Sequence, residues 1–171
     1  MTQMAKLVGA TVFATVSTPE KAELARKAGA DHVILYTQTK FDDEILRITK
    51  GEKLDVIYDG VGQSTFEQSL KCLRPRGLLA LYGASSGAVP PFDLDRLAAM
   101  GSLFITRLIS TDYVRAHAQL TSVMEPVFGM YQSEKLKLLV RSPYTLEEAG
   151  KAHRELESRR SIGRLLLSIC G

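Results

Sequence analysis

The sequence predicts an α/β fold: a Rossmann-like, doubly wound parallel sheet that lacks its first strand and glycine-rich loop. Three observations carry this. From residue 11 to residue 106, short apolar runs alternate with helical stretches, the pattern of a parallel sheet covered on both faces. Each run ends at the polar, Gly-bearing kind of turn over which a nucleotide sits. No G-x-G-x-x-G precedes the first run: Met1 leads into residues 2–8, of helical composition, and Gly9 stops them.

The elements follow in order. Thr11-Val12-Phe13-Ala14-Thr15-Val16 is β-branched and reads as a strand. Ser17-Thr18-Pro19-Glu20 starts a helix, with a hydroxyl at the N-cap, Pro in the first turn and Glu20 completing a capping box. That helix runs to Ala28 and stops at Gly29. His32-Val33-Ile34-Leu35 is the second strand, and a helix covers residues 41–49. Asp55-Val56-Ile57-Tyr58-Asp59 is the third strand, closed by Gly60-Val61-Gly62. Residues 64–72 form a helix, Arg74-Pro75-Arg76-Gly77 a turn, and residues 78–83 the fourth strand. A Gly/Ser/Pro loop (84–91), a short helix (94–100) and a last strand, Ser102-Leu103-Phe104-Ile105-Thr106, follow. Residues 113–131 read as a helix that Pro126 should kink or split. Beyond lie an apolar run at 136–140, a helix at 146–159 and a strand-like run at 164–167.

Bulk properties narrow the function classes. At 171 residues the chain can build one good core. It is 45% hydrophobic and 24% charged, ordinary for a folded soluble protein. The net charge of +3 is scattered rather than striped, which argues against nucleic acid. No apolar run approaches the roughly 18 residues of a membrane helix, and no signal-peptide pattern opens the chain. A cytoplasmic protein is expected, with Cys72 and Cys170 as reduced, incidental thiols. No spacing suits zinc.

Ligands of open parallel sheets bind at the carboxyl ends of the strands. After the first strand stand Ser17 and Lys21, where an NAD-binding sheet carries an acid and an NADP-binding sheet small hydroxyls and a cation. The helix N-terminus there also favours an anion. The bland alternative is an N-cap followed by a solvated lysine. Tyr36, after the second strand, either stacks on an adenine or merely closes the strand. Gly62 and Gly83 are either turn glycines or points where backbone approaches a ribose or nicotinamide closely. Asp59 is an acid or, more simply, a cap for the next helix. His32, His117 and His153 stand isolated and read as structural or solvated.

With these residues in hand, the chain resembles the quinone oxidoreductase (zeta-crystallin-like) branch of the zinc-free medium-chain dehydrogenase/reductase superfamily. The match is carried by Gln3-Met4-Ala5-Lys6, Ser17-Thr18-Pro19-Glu20-Lys21, Ala28-Gly29-Ala30-Asp31-His32-Val33-Ile34, Val56-Ile57-Tyr58-Asp59-Gly60-Val61-Gly62, Cys72-Leu73-Arg74-Pro75-Arg76-Gly77, Ser102-Leu103-Phe104-Ile105-Thr106-Arg107 and Ala152-His153-Arg154-Glu155-Leu156-Glu157. The resemblance implies hydride transfer from NADPH to quinones or other electron-poor carbonyl compounds, without zinc. It implies that Ser17 and Lys21 hold the 2′-phosphate, Tyr36 lies by the adenosine, and Gly62 and Gly83 line the cofactor groove. Phe104 and Thr106 would hold the nicotinamide end, and Arg164 would be a basic residue near the cofactor. Residues 1–135 then form a partial NADP-binding domain, and residues 136–171 a segment that in the family packs on a substrate domain. Homodimerisation is expected through the last sheet strand.

Measured against the family, a substrate domain, a first strand and its glycine loop would precede Met1. The leading expectation is therefore the cofactor-binding part of such an oxidoreductase, incomplete as it stands, with poor NADPH affinity and no turnover alone. The competing expectation is a non-enzymatic remnant of the fold that oligomerises through its sheet. A flavodoxin-like mononucleotide domain is a third.

Overall fold

The computed structural model describes residues 1–141, 143–158 and 161–169. Cys170 lies outside them, as does Arg159, the expected end of the last helix. The order of elements is α1 (Thr2–Leu7), β1 (Phe13–Val16), α2 (Pro19–Lys27), β2 (His32–Leu35), α3 (Phe41–Ile48), β3 (Leu54–Asp59), α4 (Phe66–Cys72), β4 (Leu73–Leu81), α5 (Asp95–Ala99), β5 (Phe104–Arg107), α6 (Ser110–Tyr113), α7 (His117–Gln132), β6 (Tyr144–Thr145), α8 (Ala149–Glu157) and β7 (Leu167–Ser168).

Every named strand pair is parallel, but the sheet is not continuous. β1 pairs with β2, β3 with β4 and β4 with β5, while β6 and β7 form a separate two-stranded ribbon. β1 and β3 do not hydrogen-bond to each other, so these are two separate sheets. What joins the two sheets is a shared core. Ile34, Phe41, Ile45 and Cys72 are buried together, and Phe13 from β1 and Leu54 and Ile57 from β3 pack on them. A second cluster sits under β3–β5, built from Phe66, Leu70, Leu73, Leu79, Leu81 and Leu103. Ile57 packs against both. Removing this apolar surface from water, at ~25 cal/mol per Å², drives the layering.

Four local expectations need correction. The N-cap of α2 is Thr18, not Ser17: its Oγ1 accepts the Lys21 N–H at 3.3 Å. Glu20 thus falls one position short of a capping box; its carboxylate accepts its own N–H and the Thr18 hydroxyl, which hold it below the usual carboxylate range. The expected turn at 74–77 is an irregularity inside β4, which starts at Leu73 opposite Leu54 and shifts register before Leu78 meets Val56. There Arg76 takes φ +62° and donates to the Gly101 carbonyl at 2.8 Å; a bulge is where a strand accommodates Pro75.

The helix expected over 113–131 breaks before Pro126, not at it. Val114 and Ala116 leave helical geometry, and the Gln119 side chain accepts the Ala116 N–H at 3.0 Å to start α7. α7 then runs through Pro126 as one helix. It is largely exposed, so the carbonyl that Pro126 leaves without an N–H partner is open to water. The run at 164–167 enters β7 only at its end, after a lone bridge from Arg164 to Val140. Among the described residues no helix is long and apolar enough to cross a membrane.

Candidate functional site at the strand ends

The β1–β2 register sets Val16 opposite Leu35, so Ser17 and Tyr36 leave adjacent strands on the same rung. The Tyr36 N–H donates to the Val16 carbonyl at 3.1 Å, and Thr37 Oγ1 donates to the Ser17 carbonyl at 3.0 Å. These two bonds tie the loops after β1 and β2 together. α2 begins two residues after Ser17, at Pro19, and Lys21 lies in its first turn, half-buried. Tyr36 presents its ring to solvent, 52% exposed. The structure therefore gathers Ser17, Lys21 and Tyr36 at one sheet edge, beside the positive end of a helix.

The second group stands after β3 and β4. Asp59, only 5% exposed, organises it. Its Oδ1 accepts the N–H groups of Val61 at 2.7 Å and Gly62 at 3.1 Å. Its Oδ2 accepts the hydroxyls of Thr65 at 2.7 Å and Ser69 at 3.3 Å. Gly62 is buried with φ +89°, and a Cβ there would lie 2.7 Å from the Gly87 carbonyl oxygen. A Cβ on Gly83 would lie 2.4 Å from the Gly60 carbonyl oxygen and 2.9 Å from the Gly60 Cα. Both glycines are thus required by backbone meeting backbone. Ser86 completes the lacing: its Oγ accepts from the Ser64 N–H at 3.0 Å and donates to the Val61 carbonyl at 2.8 Å.

Thr106 lies on β5 opposite Ala80, one rung from the strand end, and is half-buried. Phe104 opens β5 opposite Leu78, two residues earlier on the same sheet face, and is 58% exposed. Arg164 lies elsewhere. Its N–H donates to the Leu139 carbonyl at 2.8 Å and its carbonyl accepts from Arg141 at 3.2 Å, within the C-terminal unit where Glu155 takes both Arg141 and the Tyr144 hydroxyl. Glu155 is held below the usual carboxylate range, first by the Tyr144 hydroxyl and also by Arg141.

Sequence reasoning weighed Asp59 as an acid or a helix cap; its bonds make it the keystone of a turn. The signal was present in the hydroxyls of Thr65 and Ser69, six and ten residues on. Ser86 and Tyr82, whose ring would lie 2.9 Å from a Cβ added at Gly60, were missed because nothing local marks them. The isolated histidines have ordinary surroundings: His32 stacks on Phe13 with ring centroids 4.5 Å apart, and His117 and His153 are exposed. Among the described residues no group of three or more His, Cys, Asp or Glu could hold a metal ion.

Comparison with known proteins places this geometry. The family described as "Zinc-binding dehydrogenase" matches residues 1–123. Quinone oxidoreductase 1 of Escherichia coli is 41% identical over 167 residues, covering 96% of this chain and 51% of that protein. The 2-haloacrylate reductase of a Burkholderia species is 39% identical over 168 residues, covering 98% of this chain and 50% of its own. The chain thus spans about half the length of the curated relatives it matches. Among solved structures, Escherichia coli quinone oxidoreductase complexed with NADPH superposes with a TM-score of 0.91 over 96% of this chain and 51% of that one. The Pseudomonas syringae quinone oxidoreductase gives the same TM-score at 38% identity, over 96% of this chain and 51% of its own. The chain belongs to the zinc-binding dehydrogenase family, and to the C-terminal, Rossmann-like part of its quinone oxidoreductase members.

Proposed function

We propose that this chain is the cofactor-binding portion of an NADPH-dependent quinone oxidoreductase, which passes hydride from NADPH to a quinone or another electron-poor carbonyl acceptor. The observation that carries the reading is the gathering of Ser17, Lys21 and Tyr36 at one sheet edge beside the α2 N-terminus. The NADPH complex of the Escherichia coli relative supports the choice of cofactor. In this reading the Ser17 hydroxyl and Lys21 ammonium hold a 2′-phosphate, and the dipole of α2 adds to their attraction. Tyr36 covers the adenosine. Gly62 and Gly83 keep side chains out of the groove, and Asp59 fixes the turn that lines it. Phe104 and Thr106 face the nicotinamide end, and Arg164 supplies positive charge near the cofactor when the C-terminal segment is docked. Bound there, NADPH supplies the hydride; the chain's residues bind and orient it. The family description names zinc; among the described residues no group of three or more His, Cys, Asp or Glu could hold it.

The same reading divides the chain into a partial NADP-binding domain at 1–135 and a segment at 136–171 that packs on a substrate domain. It pairs two copies through the free edge of β5. That edge also favours the second reading, a non-enzymatic protein that oligomerises through its sheet, since among the described residues β5 bonds to β4 alone. Titration of NADPH and NADH by nicotinamide fluorescence tests the two. Saturable binding that prefers NADPH and weakens at least about tenfold in Lys21→Ala, roughly 1.4 kcal/mol, is expected. Equal affinity for both dinucleotides, or an unchanged Lys21→Ala, would overturn the assignment; a firm dimer without binding would favour the second reading.

A further inference from the structure

The loop after β4 is fastened at both ends. At its near end the Ser85 N–H donates to the Gly60 carbonyl at 3.3 Å, the Ser86 N–H to the Val61 carbonyl at 2.8 Å, and the Gln63 N–H to the Gly87 carbonyl at 3.1 Å. At its far end Phe92 meets Phe66 edge-on, with ring centroids 5.1 Å apart and planes at 86°, and Phe66 belongs to the buried cluster under β3–β5. Arg96, in the first turn of α5, lays its guanidinium over the Phe92 ring, 4.6 Å from the centroid. The same guanidinium forks onto Glu67 of α4, Nη1 to Oε1 at 3.0 Å and Nη2 to Oε2 at 2.6 Å. Both side chains of this pair are about half exposed, and exposed ion pairs contribute little to stability. What a two-pronged pair fixes is geometry, and the cation over the ring fixes Phe92 in turn. Between the two fastenings stand Val89, which packs on the same cluster, and Pro90 and Pro91, whose rings hold φ. A shift at the far end therefore passes to the near end, because little of the intervening chain is free to absorb it.

We propose that Arg96 is a positioning residue for the cofactor groove. With Glu67 and Phe92 it clasps the far end of the 84–91 loop, and the clasp keeps residues 85–87 bonded to the turn at 60–63. The guanidinium is committed to Glu67 and Phe92, so it acts on the groove through the loop and not by touching a ligand. The inference rests on the cofactor reading, in which the groove at Gly62 and Gly83 takes the ribose and nicotinamide of NADPH and the edge at Ser17, Lys21 and Tyr36 takes the 2′-phosphate and adenosine. Only the first of these two regions is bonded to the loop. Opening the clasp therefore weakens one end of the dinucleotide and spares the other.

Adenosine 2′,5′-bisphosphate, the half of NADPH without its nicotinamide, separates the two ends. In calorimetric titrations of this chain, Arg96→Ala is expected to weaken NADPH at least about fivefold and to leave the bisphosphate within about twofold of wild type. Glu67→Gln, which leaves Arg96 in place, should do the same and carries the test if Arg96→Ala misfolds. Arg96→Lys keeps the charge but not the fork and should fall between wild type and Arg96→Ala. Hydrogen exchange without ligand gives a second readout. The Gln63 and Ser86 amides should speed up at least about tenfold in Arg96→Ala, while the Tyr36 amide, bonded to the Val16 carbonyl, keeps its rate; a merely destabilised chain would speed all three. Unchanged NADPH affinity, equal weakening of both ligands, or equal acceleration of the three amides would each overturn the proposal and leave the cofactor reading standing. A wild type that binds neither ligand would overturn both.

Discussion

Replacing Gly83 by Ala adds one methyl group, and the structure says where it goes. The new Cβ would stand 2.4 Å from the Gly60 carbonyl oxygen, with the Gly60 Cα at 2.9 Å and carbonyl carbon at 3.0 Å. That is about 1 Å inside van der Waals contact, and all three atoms are backbone, so no rotamer change relieves it. The turn 60–62 must move, and it is fixed from behind by the bonds of Asp59 to Val61 and Gly62. Overpacking costs about 1–3 kcal/mol; a rigid neighbour puts this case near the upper end. Ala also restricts the unfolded chain, which returns about 0.4–1 kcal/mol. The net expectation is a loss of about 2 kcal/mol, a factor of ~30 in the unfolding equilibrium and a fall of ~4–8 °C in Tm. Urea denaturation followed by circular dichroism measures it. Gly129→Ala is the matched control: it lies within α7 with nothing within 4 Å of its added Cβ, so the same substitution should stabilise by roughly 0.5–1 kcal/mol. If Gly83→Ala is neutral, or the two variants shift alike, the close approach of the two turns is not what fixes glycine at position 83.

Asp59→Ala deletes the acceptor of two backbone N–H groups and two hydroxyls; with Gly62 and Ser69 buried, a loss of about 2–4 kcal/mol is expected in the same denaturation assay. Cys72 is fully buried, and burial, with Asp42 nearby, pushes its thiol up to about 12. Iodoacetamide at pH 8 should leave it unmodified in the folded chain and alkylate it in 8 M urea, as read by peptide mass spectrometry. Asp31 accepts the Val12 N–H at 2.7 Å and Lys6 Nζ at 2.9 Å, contacts that hold its carboxyl below the ordinary 3.8. A depressed folded pKa stabilises above the ordinary value, and that gain is lost as pH falls through the folded one. Asp31→Asn should therefore unfold more easily than wild type at pH 6, with the gap narrowing as the pH drops below 3.8 in acid titrations followed by circular dichroism.

What the sequence made legible follows the range of the forces involved. β1, α2, β2 and α3 begin and end within about two residues of expectation, because β-branched runs, Pro19 and Gly29 act locally. The irregular start of β4 was not legible: Arg74-Pro75-Arg76-Gly77 has turn composition, and only the pairing of Leu54 with Leu73 and of Arg76 with Gly101 draws it into a strand. The start of α7 was hidden because the decisive acceptor is the side chain of Gln119, whereas Pro126 was conspicuous and does not split the helix. The strand-end positions of Ser17, Lys21, Tyr36, Gly62 and Gly83 were legible because a parallel sheet fixes which end bears the loops. Phe104 and Arg164 came from family resemblance alone. The structure sets the first at the entry of β5 and the second in the C-terminal unit.

The two groups of strand-end residues sit on sheets that share no hydrogen bond, so their relative placement must come from beneath. α3 supplies Phe41 and Ile45, α4 supplies Cys72, and β1 and β3 set Phe13 and Ile57 on the same cluster. Ile57 reaches the second cluster as well, and its neighbour two positions on is Asp59, which fixes the glycine turn. The chain of contacts therefore runs from the Ser17 edge, through β1 and the shared cluster, to Ile57, Asp59 and the turn at Gly62. Packing in that cluster, rather than sheet continuity, is what holds the two groups of strand-end residues in register.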